Sequence, residues 1–309
     1  MVVVWHAVYL LCSVAFVLIQ FEVATDYDPA GFDKLTNFIV PAPYAYRVLV
    51  PSIGALLQET GLSLYRIYQA TSIAALYGVF VFFALILHHW FDRRLAKPLA
   101  LCLLLPLVAN YILLRDYIYP YDLPSMFFFV LGLWLLIKDR YTALVAVVAL
   151  ATMNRETSLI LVMCYFFYHI GQRPVKEVVL HAAGLGLAWL AVKLPLTLFI
   201  TDKGYLYERA LEHNIYLFTE AFSGHMFLLK RFIAVFGGLH LFWLLTLWVK
   251  GRPTRSFDLV IVLFYLALFL TGRFDEERIF NELVPLFTLN FLLTFLAWKE
   301  RRSARASTS

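Results

Sequence analysis

The stretch Ala151-Thr-Met-Asn-Arg-Glu-Thr-Ser-Leu159 lies in the middle of an apolar run that extends from Tyr141 to Ile170. Three polar residues in succession, Asn154, Arg155 and Glu156, interrupt that run. A charged side chain at the centre of a membrane helix costs roughly 2.5–3.5 kcal/mol on insertion scales. A charge retained in a membrane segment is therefore a candidate functional site. The rest of the chain decides whether this segment lies in a membrane.

The composition is typical of a polytopic helical membrane protein. Of the 309 residues, 62% are hydrophobic and only 15% are charged, whereas a soluble domain carries about 25% charged residues. The longest polar stretches, 21–66 and 201–225, leave no room for a soluble domain. We therefore expect one transmembrane domain over residues 1–309, an all-α bundle of about ten helices. The apolar segments lie near 2–20, 67–90, 98–114, 124–137, 142–153, 158–170, 178–200, 226–249, 257–271 and 279–298.

The distribution of basic residues predicts the orientation of these segments. With the N-terminus in the cytoplasm, the cytoplasmic connections and the basic tail 299–309 contain 14 Lys and Arg residues, and the outer connections contain 9. This asymmetry agrees with the positive-inside rule. One continuous helix over 141–170 would move the nine basic residues of the later cytoplasmic connections and the tail to the outside. The chain is therefore predicted to break at Asn154–Glu156 and to return, with both termini inside.

The two halves of this broken segment are short. Each has about 12–13 residues, or roughly 18–20 Å at 1.5 Å per residue, whereas the bilayer core is about 30 Å thick. Polar backbone at that depth is tolerated when it is buried in protein or lines a wet cavity. We expect Arg155 and Glu156 to line a cavity that opens to the outer face. The alternative is a buried Arg–Glu pair that only holds helices together.

The first outer loop, predicted over residues 22–66, is acidic. Asp26-Tyr27-Asp28 follows the first helix directly. Two carboxylates at this spacing can bind a divalent cation such as Mg²⁺ or Mn²⁺, or act as acid and base, but aspartates in loops also simply form turns. Further along, Tyr46 and Arg47 lie at the start of a predicted interfacial helix near 47–59. Arg47 would bind a phosphate there, or snorkel to the interface.

The remaining outer segments also carry polar residues. The turn before the fourth helix holds an aspartate, Asp122, which either points inward or caps that helix. The segment 201–225 is amphipathic and is expected to shape or cover the site. The last outer turn carries a dense group of charges, followed by an amide and a carboxylate inside the last helix. The residues of these two turns that we predict to bind substrate are Asp122, Arg273, Glu276, Arg278, Asn281 and Glu282.

Several function classes are excluded by missing motifs. The sequence contains no Walker A motif, no G-x-S-x-G and no H-E-x-x-H, which argues against an ATP-driven pump. The formal charge of +5 is accounted for by the cytoplasmic connections and does not require a nucleic acid partner.

Val2 to Gln20 lacks a basic n-region and a cleavage site, so we interpret it as a retained first helix. Cys12, Cys102 and Cys164 lie in apolar runs and predict buried thiols rather than disulfides.

Through four groups of residues, the chain resembles the GT-C class of integral-membrane glycosyltransferases, especially its short bacterial members. They are the D-x-D triplet after the first helix, the Tyr-Arg segment of the same loop, the break in the apolar run and the last outer turn. The resemblance implies a helical bundle with an outward-facing cavity and a polyprenyl-phosphate-linked sugar as donor. The groups are Asp26–Asp28, Pro43–Arg47, Asn154–Glu156 and Arg273–Glu282.

The resemblance also implies roles for these residues. Asp26 or Asp28 would act as general base on the acceptor or hold the metal ion, and Glu156 would position Arg155 or contact sugar hydroxyls. The acceptor would be a glycan, a lipid or a protein. The short loops, the absence of N-x-S/T sequons and the basic tail indicate a bacterial inner membrane. The residues expected to bind the donor, its phosphate above all, are Tyr46, Arg47, Asn154, Arg155 and Arg273.

Three other functions remain open from the sequence. A transporter or flippase also uses broken helices and intramembrane charges, although no inverted repeat is visible. A glycan polymerase or ligase would use similar chemistry. A non-catalytic subunit would present the outer charges to a protein partner.

Overall fold

The computed structural model describes residues 2–114, 117–200, 210–222, 230–231, 233–247, 254–274 and 276–306. The protein is all-α, as predicted, with 82% of the structure helical. Among the described residues, four helices are long and apolar enough to cross a membrane: Val3–Val23, Leu64–Leu87, Arg93–Leu113 and Val175–Phe199.

Most of the predicted apolar segments are helical where the chain is described, but the number of helices differs from the ten expected. The segments 98–114 and 226–249 are interrupted, and short helices also form within the predicted loops 22–66 and 201–225. The helices are α1 (Val2–Val23), α2 (Phe32–Thr36), α3 (Leu49–Gln58), α4 (Leu64–Leu87), α5 (Arg93–Ala100), α6 (Leu104–Val108), α7 (Asp122–Ile137), α8 (Tyr141–Asn154), α9 (Ile160–His169), α10 (Val175–Phe199), α11 (Ala210–Phe222), α12 (Leu239–Leu245), α13 (Thr254–Thr271) and α14 (Leu283–Ala306). Short 3-10 turns cover Asp28–Ala30, Tyr44–Tyr46, Leu101–Leu103, Glu156–Leu159, Val235–Gly238 and Glu277–Phe280, and a π-helical turn covers Ala109–Leu113.

Helices α8 and α9 form a hairpin. Arg155 adopts an extended conformation (φ −162°, ψ 135°) between α8 and the turn that begins at Glu156. At the other end of the hairpin, the rings of Tyr141 and Tyr165 are 5.9 Å apart, and Arg173 pairs with Asp139. Both ends of the apolar run therefore lie together, and the predicted break and return are confirmed.

The hairpin is too short to cross a bilayer core. Helix α8 has 14 residues and α9 has 10, which corresponds to roughly 21 and 15 Å at 1.5 Å per residue. A bilayer core measures about 30 Å. Each helix of the hairpin is therefore shorter than a bilayer core, in agreement with the lengths expected from the sequence.

Donors from other segments form hydrogen bonds with the free backbone carbonyl groups of the hairpin tip. The end of an α-helix leaves carbonyl groups without a helical partner. Val48 N–H donates to the carbonyl of Met153 at 2.9 Å, and Trp189 Nε1 donates to the carbonyl of Glu156, also at 2.9 Å. The tip is thereby tied both to the first outer loop and to α10.

A short sheet connects the first outer loop to the segment before α7. Strands β1 (Thr25–Asp26) and β2 (Tyr117–Ile118) pair in parallel, with Asp26 opposite Ile118. This pairing places the D-x-D triplet beside the tyrosines that lead into α7. Underneath, α4 and α7 pack so closely that a Cβ on Gly78 would lie 2.5 Å from the ring of Phe127.

The last outer segments are joined by one buried amide. Asn214 in α11 donates to the carbonyls of Phe269 and Gly272 at 2.8 and 2.7 Å and accepts from Phe274 N–H at 2.8 Å. On its other face, α11 exposes Ile215. Of the predicted loop 201–225, residues 201–209 and 223–225 lie outside the described residues. Helix α14 continues through most of the basic tail to Ala306.

Candidate functional site

Three arginines from distant parts of the sequence meet at the tip of the hairpin. Arg47 follows the turn Tyr44–Tyr46, Arg155 forms the tip itself and Arg278 lies in the turn before α14. Their exposed fractions are only 7%, 3% and 4%. Arg155 Nη1 donates to the carbonyl of Arg278 at 3.4 Å. Since isolated buried charges are very unfavourable, this group, hereafter the arginine cluster, requires charged or polar partners.

Two buried carboxylates face Arg155. Its Nη1 lies 3.5 Å from Asp122 Oδ1 and 3.8 Å from Glu282 Oε1. The Thr157 hydroxyl also donates to Glu282 Oε1. Asp122 comes from the first turn of α7 and Glu282 immediately precedes α14, so the hairpin tip is clamped between two other helices.

The other two arginines pair with carboxylates that are more accessible. Arg47 Nη2 lies 3.9 Å from Glu156 Oε1, and Arg278 Nη2 lies 2.6 Å from Glu276 Oε2. The side chains of Glu156 and Glu276 are 29% and 20% exposed. This half of the site is therefore the one that solvent reaches.

An aromatic wall, formed by Tyr44, Tyr119 and Tyr121, supports these arginines. The rings of Tyr44 and Tyr119 stack at 5.6 Å, tilted by 1°. The Arg278 guanidinium lies 3.6 Å from the centre of the Tyr119 ring, and that of Arg47 lies 4.5 Å from the centre of the Tyr121 ring. Arg47 also donates to the Tyr121 hydroxyl. Cation–π contacts are strongest where water is excluded, so the wall both stabilises the guanidinium groups and fixes their planes.

Sequence reasoning missed this wall. All three residues are tyrosines near a predicted membrane boundary, where an aromatic belt is expected in any case. The available signal was their proximity in sequence to charged residues, since Tyr44 is close to Arg47, and Tyr119 and Tyr121 flank a proline beside Asp122. Lys193 was also missed. Its Nζ lies 4.2 Å from the centre of the Tyr46 ring.

Many buried polar atoms of the site have no hydrogen-bond partner within the described chain. Each arginine of the cluster keeps one such N–H group: Nε of Arg47, Nε of Arg155 and Nη1 of Arg278. Buried polar groups in folded proteins are usually satisfied, and exceptions call for an explanation such as a ligand or water. The acceptors without a donor are both carboxylate oxygens of Asp122, Oε2 of Glu282, Oδ1 of Asn154 and Oδ1 of Asn281.

The predicted acidic triplet lies at the surface beside the aromatic wall. The Tyr27 ring packs 4.7 Å from that of Tyr117 and 6.0 Å from those of Tyr44 and Tyr119. Asp26 is exposed; its Oδ2 accepts from Phe32 N–H at 3.3 Å. Although the residue as a whole is exposed, partial desolvation of its carboxyl group raises the pKa of Asp26 above its ordinary value.

The second aspartate of the triplet is engaged elsewhere. Asp28 is 95% exposed and pairs with Lys34 at 3.1 Å. Within the described residues, no group of three or more His, Cys, Asp or Glu side chains is placed to hold a metal ion. The predicted Mg²⁺ or Mn²⁺ site thus has only Asp26 and Asp28 as protein ligands and stays a prediction.

The other predicted residues fall into two groups. Asn154 is fully buried and donates to the Tyr121 carbonyl at 3.0 Å and to Ser125 Oγ at 2.8 Å. Asn281 is buried beside Glu282. Arg273 is partly buried and interacts electrostatically with Tyr27 at the surface. The structure therefore brings most of the predicted site residues together, with Asp26, Asp28 and Arg273 at its outer edge.

A small cavity lies behind Arg155 and Glu282. It is lined by Ser125, Phe129, Ala151, Arg155, Ser158, Leu161 and Glu282 and has room for about one water molecule. The cavity therefore has room for no more than one small polar group.

In comparisons with known proteins, no family model, no curated protein and no solved structure matches this chain.

Proposed function

We propose that the protein is a membrane glycosyltransferase that transfers a sugar from a polyprenyl-phosphate-linked donor to an acceptor on the outer, periplasmic face. The observation that supports this most directly is that three buried guanidinium groups each keep an N–H without an acceptor. Guanidinium groups bind phosphate oxygens through paired, charge-assisted hydrogen bonds. A phosphate placed among Arg47, Arg155 and Arg278 would satisfy these donors.

A lipid carrier for this phosphate is supported by the side of the site that faces α10. This helix exposes large apolar residues such as Leu190 and Leu194, yet it carries Lys193 above the Tyr46 ring. Lysine near the end of an apolar helix extends its ammonium group toward the headgroup region. The ligand expected beside α10 is therefore an amphiphile with an anionic headgroup.

The proposed reaction needs a base for the acceptor hydroxyl. Asp26 is the better candidate of the two aspartates, because Asp28 is paired with Lys34 and burial already makes Asp26 more basic than an ordinary aspartate. The acceptor oxygen gives its proton to Asp26 and forms a bond to the anomeric carbon. The bond between that carbon and the phosphate oxygen breaks, and the negative charge remains on the lipid phosphate, where the arginines stabilise it. Glu156 holds Arg47 in place for this step.

A divalent cation is the alternative to a free base. Asp26 and Asp28 would then both hold the ion, which would stabilise the charge that develops on the leaving phosphate, and Asp28→Asn would lose transfer together with Asp26→Asn.

Donor binding and turnover test the proposal in nanodiscs that contain a polyprenyl-phosphate sugar. We expect Arg155→Ala to lose at least tenfold in affinity for the donor, and Asp26→Asn to bind the donor with little or no transfer. Asp28→Asn is the matched aspartate variant and is expected to keep most activity. Full transfer by Asp26→Asn would show that the base is assigned wrongly, and absence of lipid-phosphate binding by the wild type would contradict the function itself.

A transporter or flippase is the second candidate, and one observation favours it. A second helix break occurs at Val235–Gly238, where Phe236, Gly237 and Gly238 have φ values of 54°, 60° and 80°. The side chain of Asn110 holds this break by accepting from Phe236 N–H at 2.7 Å. Discontinuous helices are common in transport proteins. Movement of a lipid-linked sugar across proteoliposomes without any transfer product would favour this function over the first.

A further inference from the structure

Helix α11 has two chemically different exposed sides. Leu211, Ile215 and Phe218 are exposed, and their spacing of four and three residues places them on one face of the helix. Tyr216 is exposed as well, but it lies about 140° around the helix from Leu211, beyond the exposed Glu212. The exposed surface of α11 therefore has an apolar side and a more polar side.

The contacts of α11 show where this helix lies. Asn214 fastens it to the carbonyls of Phe269 and Gly272 and to the N–H of Phe274. The Phe218 ring adds packing at 5.8 Å from that of Phe269 and 6.0 Å from that of Phe274. The apolar part of α13 ends at this point, and the positive-inside orientation makes it the outer end. Helix α11 thus lies at the level where α13 reaches the membrane boundary.

An exposed apolar stripe on α13 leads to the same point. Its members are four leucines spaced by four, three and four residues, which places them on one face of the helix. Such a face on a helix of a membrane bundle contacts lipid acyl chains. The stripe ends directly after Phe269, whose carbonyl accepts from Asn214. The leucines are Leu259, Leu263, Leu266 and Leu270.

The length of α11 limits how it can meet the bilayer. Its 13 residues correspond to roughly 20 Å at 1.5 Å per residue, whereas a bilayer core is about 30 Å thick. The helix is too short to cross. A helix with an apolar and a polar side at a membrane boundary typically lies in the plane of the interface, with its apolar side about 5–10 Å deep at the boundary between headgroups and acyl chains.

We infer that α11 is an interfacial helix, which lies in the plane of the outer surface of the bilayer and inserts Leu211, Ile215 and Phe218 among the acyl chains. The exposed side that carries Tyr216 faces water and the headgroups. The partner of this surface is the phospholipid bilayer, recognised through its acyl chains, since the inserted side chains carry no charge. The inference does not depend on the proposed function.

The position of α11 also bears on the arginine cluster. Asn214 contacts both Gly272 and Phe274, and this turn continues to Glu276 and Arg278. A helix held in the interface therefore fixes the start of the segment that carries these two residues.

Spin labels on single cysteines test the inference with the full-length protein in phosphatidylcholine nanodiscs. The native cysteines are replaced by serine or alanine, and the labels are introduced at exposed positions only, so that the packing of the chain is kept. Collision rates are measured with oxygen, which concentrates among acyl chains, and with a water-soluble nickel chelate. The labelled variants are Leu211→Cys, Ile215→Cys and Tyr216→Cys, with Leu266→Cys as the lipid reference and Lys34→Cys as the water reference.

We expect the ratio of the oxygen to the nickel collision rate at positions 211 and 215 to approach that at position 266. It should exceed the ratio at position 216 by at least threefold. Ratios at 211 and 215 that equal the water reference would overturn the inference, because the apolar side then faces solvent. Protection of both positions from both reagents would also overturn it, because a protein surface then covers α11. Equal ratios at 215 and 216 would contradict the proposed orientation of the helix.

Discussion

Arg155 and Asp122 form a buried ion pair that joins the tip of the α8–α9 hairpin to the first turn of α7. Arg155 Nη1 lies 3.5 Å from Asp122 Oδ1, and both side chains are at most 3% exposed. The two groups are not aligned for a hydrogen bond, and both oxygens of Asp122 remain without a donor. A pair kept only for stability would be expected to close its hydrogen bonds. The open geometry favours a pair that leaves room for a ligand.

This geometry leads to a stability prediction for Arg155. Arg155→Ala removes the nearest cation from the buried carboxylates of Asp122 and Glu282, and breaking a buried pair in this way typically costs about 3–5 kcal/mol. We expect a clear decrease in the thermal denaturation temperature in detergent. The triple variant Arg155→Met, Asp122→Asn, Glu282→Gln carries no buried charge at these positions and is expected to recover most of that loss.

The comparison of these variants distinguishes the two interpretations of the hairpin tip. Arg173→Ala, at the opposite end of the hairpin, is the control arginine variant and removes only partly exposed pairs with Asp139 and Glu177. It is expected to shift the denaturation temperature much less, since exposed pairs contribute about 0–1 kcal/mol. If Arg155→Ala melts like the wild type, the cluster is not electrostatically coupled as described.

The break of the hairpin could be predicted from the sequence, whereas the partners of its charges could not. A continuous helix over 141–170 conflicts with the positions of basic residues far along the chain, so topology alone requires the break. The pairing of Asp28 with Lys34, by contrast, depends on the fold of a loop. Aspartates in such a loop look equivalent in the sequence, although one is engaged and the other is available.

Residues with two plausible roles were the hardest to predict. Tyr119 is explained equally well by an aromatic belt and by a contact with Arg278, and only the structure shows the guanidinium over its ring. Lys193 lies inside an apolar helix, where snorkelling explains a lysine without any function. Asp122 was predicted either to point inward or to cap its helix, and its burial with Arg155 supports the first alternative.

The proposed base leads to an expected pH dependence. Burial raises the pKa of Asp26 above its ordinary value, and a general base acts only when it is deprotonated. Transfer should therefore decline as the pH falls, starting at a higher pH than for an ordinary aspartate. The measurement is kcat/KM against pH for the wild type, with Asp28→Asn as the matched variant, whose acidic limb is expected to move slightly to lower pH because the neighbouring negative charge is removed.

The raised pKa of Asp26 also makes stability depend on pH. The direction of this dependence is opposite to that of an aspartate in an ion pair, whose pKa is lowered. Because the folded-state pKa of Asp26 is higher than the unfolded one, the folded protein binds this proton more tightly, and its contribution to stability is lost as the pH rises through the folded pKa. Asp26→Asn is neutral at all pH values. At neutral pH we expect it to denature at the same or a slightly higher temperature than the wild type while transfer is lost. A variant that is inactive because it is unfolded would show the reverse.

The orientation in the membrane can be tested with single cysteines. In a variant whose native Cys12, Cys102 and Cys164 are replaced by serine or alanine, Lys34→Cys lies in the first outer loop and Asp139→Cys at the end of the hairpin remote from Arg155. With the basic residues distributed as they are, the positive-inside rule places position 34 outside and position 139 inside. An impermeant maleimide added to intact cells should label only the first, and both after the membrane is opened. Labelling of position 139 in intact cells would show that the topology is the reverse of the one predicted. The arginine cluster would then face the cytoplasm, and a nucleotide-linked donor should be tested in place of a lipid-linked one.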